Sequence, residues 1–257
     1  MFLMNMLSPA RADWINLTGA ETAPNIAEIT ILDDRVRVVL EISLGNLDAF
    51  EDLLPDDWLK TKSTDRLPQA ERLKRFSARV FQVVTFEGTK LQADLKLIEP
   101  RMRKDRASAF AGMINPTTLQ RVPGPPKEKR VIYAELEYPF TGKPDSLSFI
   151  PPSDETGNGS VNLGFIAYHK VVPIIDFRYL SRAATVRLDW QDPWYTKFDN
   201  PNLKRHHKSA QMSFLYIEPR EVRHEVLIRV RDLQDWTDLG LSGGTTITTA
   251  EQNQVKD

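Results

Sequence analysis

The residues best equipped for chemistry lie between Asp176 and Tyr195. Asp176-Phe177-Arg178-Tyr179 is followed by Asp189-Trp190-Gln191-Asp192-Pro193-Trp194-Tyr195, which places two Trp, two Tyr, a Phe and Arg–Asp pairs within one short stretch. Aromatic faces stack on sugars and Arg–carboxylate forks orient polar ligands, so Asp176, Arg178, Tyr179, Asp189, Trp190, Asp192, Trp194 and Tyr195 form the candidate ligand- or partner-binding set. A hydrolase reading would use Asp189, Asp192 and Arg178 around Trp190 and Trp194. The same residues equally build a core of aromatics whose polar ends are satisfied by Asp and Arg.

Histidine offers the second chemistry. There are four, His169, His206, His207 and His224, and no HExxH or His-x-x-x-His spacing joins them. His206 and His207 can converge from a loop with His224 and the nearby Glu218, Glu221 and Glu225, which defines the candidate metal set. His169 precedes Lys170 in what reads as a turn. No Gly-x-Ser-x-Gly elbow, P-loop or dinucleotide fingerprint occurs, and the acidic pairs Asp33-Asp34 and Asp56-Asp57 sit beside turns. No catalytic residue and no cofactor is assigned.

Composition narrows the classes. The chain has 257 residues, 41% hydrophobic and 27% charged, without cysteine, which removes disulfides, thiolate metal sites and cysteine nucleophiles. Lys plus Arg number 34 against 35 Asp plus Glu, and aromatics do not interleave with the basic residues, so nucleic acid is not an expected partner. No apolar run reaches the length of a membrane-spanning helix. Charge is nevertheless uneven: residues 13–59 hold 11 acidic and 2 basic residues, net −9, and residues 60–106 hold 13 basic and 6 acidic, net +7. Either the blocks pair internally, or Arg72, Lys74, Arg75, Arg101, Arg103, Lys104 and Arg106 present a basic face to an acidic partner or an anionic membrane.

The elements that must position these residues are mostly strands. Two β-branched runs around Leu32-Asp33-Asp34-Arg35 predict a hairpin. Leu47, Phe50, Leu53 and Leu54 predict a short helix ended by Pro55, and the segment from Pro68 predicts an amphipathic helix converting to a strand near Val83. Residues 101–129, with Asn115-Pro116 and Pro123-Gly124-Pro125-Pro126, read as a long loop, which is either functional or disordered. Strands are expected at Arg130–Tyr138, Ser146–Ile150, Val161–Tyr168, Val171–Tyr179, Ala184–Trp190, Met212–Ile217 and Glu221–Val230, then a helix over Asp232–Leu239.

The expected fold is therefore mainly β with some helix, an antiparallel β-sandwich or barrel-like domain with two or three short peripheral helices. Residues 1–12 end in Ala10-Arg11-Ala12 and read as the remnant of a signal peptide. Residues 13–100 form an α+β part that joins residues 130–240 either as its own unit or in one composite domain, and residues 241–257 read as a flexible tail or linker.

Four stretches carry a family resemblance: Ala23-Pro24-Asn25-Ile26-Ala27-Glu28, Asp176-Phe177-Arg178-Tyr179-Leu180-Ser181, Leu188 to Tyr195, and Phe214 to Glu225. They resemble exported proteobacterial proteins of uncharacterised function, including the extracytoplasmic N-terminal region that precedes a HupE/UreJ-type membrane transporter domain. The resemblance implies a periplasmic or membrane-tethered module whose partner is a protein or membrane component. The membrane half that carries transport in that family has no counterpart here, so transport passes to no residue of this chain. The resulting expectation is a non-enzymatic extracytoplasmic binding or accessory module, with the hydrolase and the periplasmic metal-handling domain as alternatives.

Overall fold

The computed structural model describes residues 18–59, 67–106, 108, 110–116, 118–205, 209, 211–241 and 247–256. The chain divides into two compact units, Met1–His206 and His207–Asp257. The expected leader, residues 1–12, lies outside the described residues.

In the first unit the hairpin forms as its sequence predicts, β1 Asn25–Ile31 against β2 Arg35–Ser43. Alternation decides which face is buried: Ala27, Ile29 and Ile31 point inward with Val36, Val38, Leu40 and Ile42. The segment after Ser43 winds as 3-10 turns over Leu44–Leu53 rather than the expected α-helix, with non-helical backbone at Asn46 and Phe50. Helix α1, Gln69–Arg75, continues as a wider turn over Phe76–Val80 and then becomes β3, Gln82–Thr85. The chain then supplies β4 Asp94–Met102, β5 Arg130–Pro139, β6 Ser146–Ile150, β7 Leu163–His169, β8 Val172–Tyr179, β9 Ala184–Arg187 and β10 Lys197–Phe198.

Six strands form one sheet in the order β4-β5-β2-β1-β7-β8, and four form another in the order β10-β9-β6-β3. The two sheets pack as a sandwich, not a closed barrel, so the barrel-like option is set aside. One pairing departs from the antiparallel expectation: β1 runs parallel to β7, with Ile26 beside Gly164 and Ile31 beside His169. Residues before 100 and after 130 thus share one sheet, a composite domain.

The interior is filled by Phe76, Phe81, Val83, Leu147, Phe149, Phe165, Val186 and Phe198 against the inward rows of the larger sheet. Phe165 meets Phe198 edge-on at 5.8 Å. Tyr138 crosses this core and donates its hydroxyl to the Phe81 carbonyl at 3.0 Å; burial holds its phenol far above the ordinary range.

The two charge blocks pair with each other. Arg72 donates to Asp56 at 2.5 Å, Arg75 bonds Asp52, and Arg106 binds both Glu28 (2.8 Å) and Glu41 (2.7 Å), while Lys104 reaches Glu28. Arg103 donates to the Ala23 carbonyl and Arg101 bonds Glu99. Internal pairing thus engages Arg72, Arg75, Lys104 and Arg106, the larger part of the basic face read from the sequence.

The second unit contains β11 Gln211–Glu218 and β12 Glu221–Ile228, a two-stranded sheet, then α2 Val230–Gln234. The strands grouped by sequence with residues 130–205 therefore fall in a separate unit. The tail is not wholly without structure: α3 occupies Thr249–Lys256, opened where Thr248 and Glu251 cap each other's groups. Among the described residues no helix is long and apolar enough to cross a membrane.

Candidate functional site

Seven of the eight residues singled out by type fall into two groups along β8, and the eighth, Asp176, lies within that strand. At its start, Trp190 donates its indole N–H to the Pro144 carbonyl at 2.9 Å and packs edge-on against His169 at 4.6 Å. Asp189 Oδ1 accepts from the backbone N–H groups of Gln191 (3.0 Å) and Asp192 (2.8 Å), and Asp192 Oδ1 accepts from Trp194 at 3.0 Å, capping the short turn Pro193–Tyr195. Carboxylates placed this way set turn geometry. The Trp194 ring lies 3.7 Å from the Arg205 guanidinium, which also donates to the Pro173 and Trp194 carbonyls. Tyr195 is exposed.

Toward the other end stand Arg178 and Tyr179, and the Arg178 guanidinium reaches the Lys204 carbonyl at 3.5 Å, next to Arg205. Arg178 is buried and donates to the Phe177 carbonyl at 2.8 Å. Burial draws its guanidinium below the ordinary range, against the charges of Asp176 and Glu21. Tyr179 donates to the Gly19 carbonyl at 3.4 Å, and burial with the nearby Glu21 pushes its phenol up.

His169 is the residue the sequence reading missed. Leu163, Phe165, Ala167 and His169 share one phase of β7, so the alternation that buries the first three also buries the fourth. Its Nδ1 pairs with Thr196 Oγ1 at 2.7 Å, and that hydroxyl also accepts the Asp189 N–H at 2.9 Å. Nε2 is buried without a partner among the described residues. Burial, with the Lys170 charge, pulls the imidazole down to about 4 despite the opposing charges of Asp33 and Asp189. Because the folded pKa lies below the ordinary His value of about 6.5, the unfolded chain takes up the proton first on acidification. Stability is therefore expected to fall between about pH 6.5 and 4, by up to roughly 1.4 kcal/mol per pH unit. Urea unfolding at pH 7 and pH 5 measures this; a His169→Gln variant that keeps the same slope would show that another group is responsible.

Tyr179 opens onto a cavity of about 350 Å³ whose other walls are Thr18, Asn115, Thr118, Gln120, Arg121, Val122, Pro123 and Asn162. The long loop builds most of it. Glu28 and Glu41 pin its start through Arg106, Ile114 bridges Arg121, and the Asn115 N–H donates to the Gln120 carbonyl at 2.8 Å. Arg121 donates to the Gly112 carbonyl at 2.5 Å. The far end docks on a 3-10 turn, Ala20–Thr22: Thr22 Oγ1 donates to the Pro123 carbonyl at 3.2 Å, and a Cβ at Gly19, whose φ is 68°, would stand 2.8 Å from Pro123 Cδ.

Of the eight predicted site residues, Tyr179 alone lines this cavity. Its walls offer three carboxamides, two threonine hydroxyls, a guanidinium and a phenol over an apolar patch of Val122 and Pro123. These groups can donate hydrogen bonds to a ligand and accept them from it.

The metal candidates do not assemble among the described residues, where no group of three His, Asp or Glu converges. His206 and His207 lie outside the described residues, and His224 stands exposed on β12 with Nε2 2.5 Å from Ser213 Oγ. Compared with protein-family models, curated proteins and solved structures, the chain has no match.

Proposed function

We propose that the chain is a non-enzymatic, extracytoplasmic binding module that takes a neutral, hydroxyl-rich ligand such as a short glycan in the cavity between the long loop and the end of β8. The observation that carries this reading is the wall itself, to which Gln120, Asn162, Arg121 and Tyr179 all contribute. Carboxamides both donate and accept, which matches a sugar hydroxyl, and an aromatic ring supplies a stacking face. The extracytoplasmic setting, next to a membrane transporter component, rests on Ala10-Arg11-Ala12 and on the family resemblance. The hydrolase alternative is less favoured, because Asp189 and Asp192 cap turns away from the cavity.

The test is an amide NMR titration with maltotriose, cellotriose and diacetylchitobiose. At least one is expected to shift the amide resonances of Gln120, Arg121, Val122, Asn162 and Tyr179 together. A Gln120→Ala/Asn162→Ala variant is expected to bind about tenfold more weakly, the loss of hydrogen bonds worth roughly 1.4 kcal/mol in total. No shift with any sugar, or equal affinity in the variant, overturns the reading.

A further inference from the structure

The second unit presents a surface that the cavity does not explain. Across the β11–β12 pair, Leu215 faces His224, Ile217 faces Val222 and Ser213 faces Val226, so one side of the hairpin is an apolar row. That row is open to solvent: Leu215 is 61% exposed, Ile217 75% and Val222 63%. The opposite side carries Tyr216 with Arg223 stacked on its ring at 4.5 Å and Glu225 accepting from its hydroxyl at 3.4 Å. A two-stranded sheet is marginal by itself in water, and three or more strands with an apolar face are needed for independent stability. Among the described residues β12 has β11 on one edge only.

The outer edge of β12 is self-complementary. Its residues read Val222-Arg223-His224-Glu225-Val226, symmetric about His224 in size and antisymmetric in charge. If two such strands meet antiparallel with His224 opposite His224, then Arg223 of each chain faces Glu225 of the other and Val222 faces Val226. Opposite charges directly across strands stabilise the pair, and like charges oppose it. A slide by two residues, the smallest that keeps the same faces together, would set Glu221 against Glu225 and Arg223 against Arg223 in one direction and Glu225 against Glu225 in the other, so charge selects the register. β11 has no charged residue from Gln211 through Ile217 and offers no comparable selection.

We propose that β12 is a homodimerisation edge, at which a second copy of this chain adds antiparallel about His224 to make a four-stranded sheet β11-β12-β12-β11. The dimer extends the apolar row across the two-fold axis and pairs the open backbone edge, which otherwise invites uncontrolled strand addition.

Charge reversal tests this with the full chain. Sedimentation velocity and native mass spectrometry are expected to give twice the chain mass for the wild type. Arg223→Glu alone sets Glu against Glu225, and Glu225→Arg alone sets Arg against Arg223, so each single variant is expected to run at half the wild-type mass with an unchanged circular dichroism spectrum. Mixed in equal amounts, the two variants become complementary, and a heterodimer is expected. An Arg223–Glu225 contact within one chain cannot produce rescue on mixing. A monomeric wild type, a mixture that stays monomeric, or single variants that remain dimeric through the β11 edge each overturn the proposal.

Discussion

Replacing Arg106 with Met is expected to lower the unfolding free energy by about 3–5 kcal/mol at pH 7, the usual consequence of removing one partner from a buried ionic cluster. The Arg106 side chain is 9% exposed and Glu41 8%, and the guanidinium donates to both Glu28 and Glu41. Burial opposes its charge, yet the bonds to Glu41 and Glu28 prevail and raise its pKa. The counterpart holds at Glu28, where burial would raise the carboxyl but Arg106 and Lys104 pull it below the ordinary range. A lowered carboxylate contributes its stability fully above the unfolded pKa of about 4.3 and loses it as pH falls through the folded pKa. The gap between wild type and Arg106→Met is therefore expected to be widest at pH 7 and to narrow toward pH 3.5 in urea titrations. A gap independent of pH would show that the loss comes from packing, for instance against the Phe177 ring 5.7 Å away, and not from charge. Since Arg106 also pins the start of the long loop, the variant is expected to weaken any ligand held by Gln120 and Arg121.

The β1–β2 hairpin and the bounds of β6 follow from alternation and turn chemistry, which are local and therefore legible in a single chain. Sheet order is not local. Nothing in Asn25–Ile31 states that it will lie parallel to residues 163–169, and that pairing is what fuses the two halves into one domain. The charge blocks were visible as sums, but their resolution depended on the loop crossing over β1 and β2 to bring Arg106 to Glu28 and Glu41. Site residues were the hardest to read, because richness in Trp, Tyr and Asp signals equally a ligand floor and a satisfied core. Trp190 and Asp189 serve the second purpose. The cavity's Asn, Gln and Thr are ordinary loop residues, and only the length of 101–129 marked that segment. His169 was recoverable from the phase of β7, had the strand been extended by one residue.

Gly164→Ala is expected to destabilise the first unit by about 3 kcal/mol or more, at or beyond the upper end of the usual overpacking range. A Cβ there would stand 2.0 Å from the Ala20 carbonyl oxygen, and 3.0 Å from both Ala23 Cβ and Ile26 Cδ1. The first of these is a backbone atom and cannot rotate aside. Gly164 sits in β7 between Ile26 and Tyr179, so the conflict falls where the Ala20–Thr22 turn lies against the sheet. That turn also carries Gly19, whose carbonyl accepts from Tyr179, and Thr22, which donates to Pro123. Displacing it must move two walls of the cavity, so saccharide-induced shifts are expected to disappear even at a urea concentration where the variant remains folded. Gly142→Ala provides the control: its φ is 74° and its Cβ position is open, so only left-handed strain of about 1–2 kcal/mol applies. Urea midpoints of the two variants decide the matter. A Gly164→Ala protein no less stable than Gly142→Ala would mean that the turn can leave the sheet at little cost, and the cavity would then lose its rigid wall.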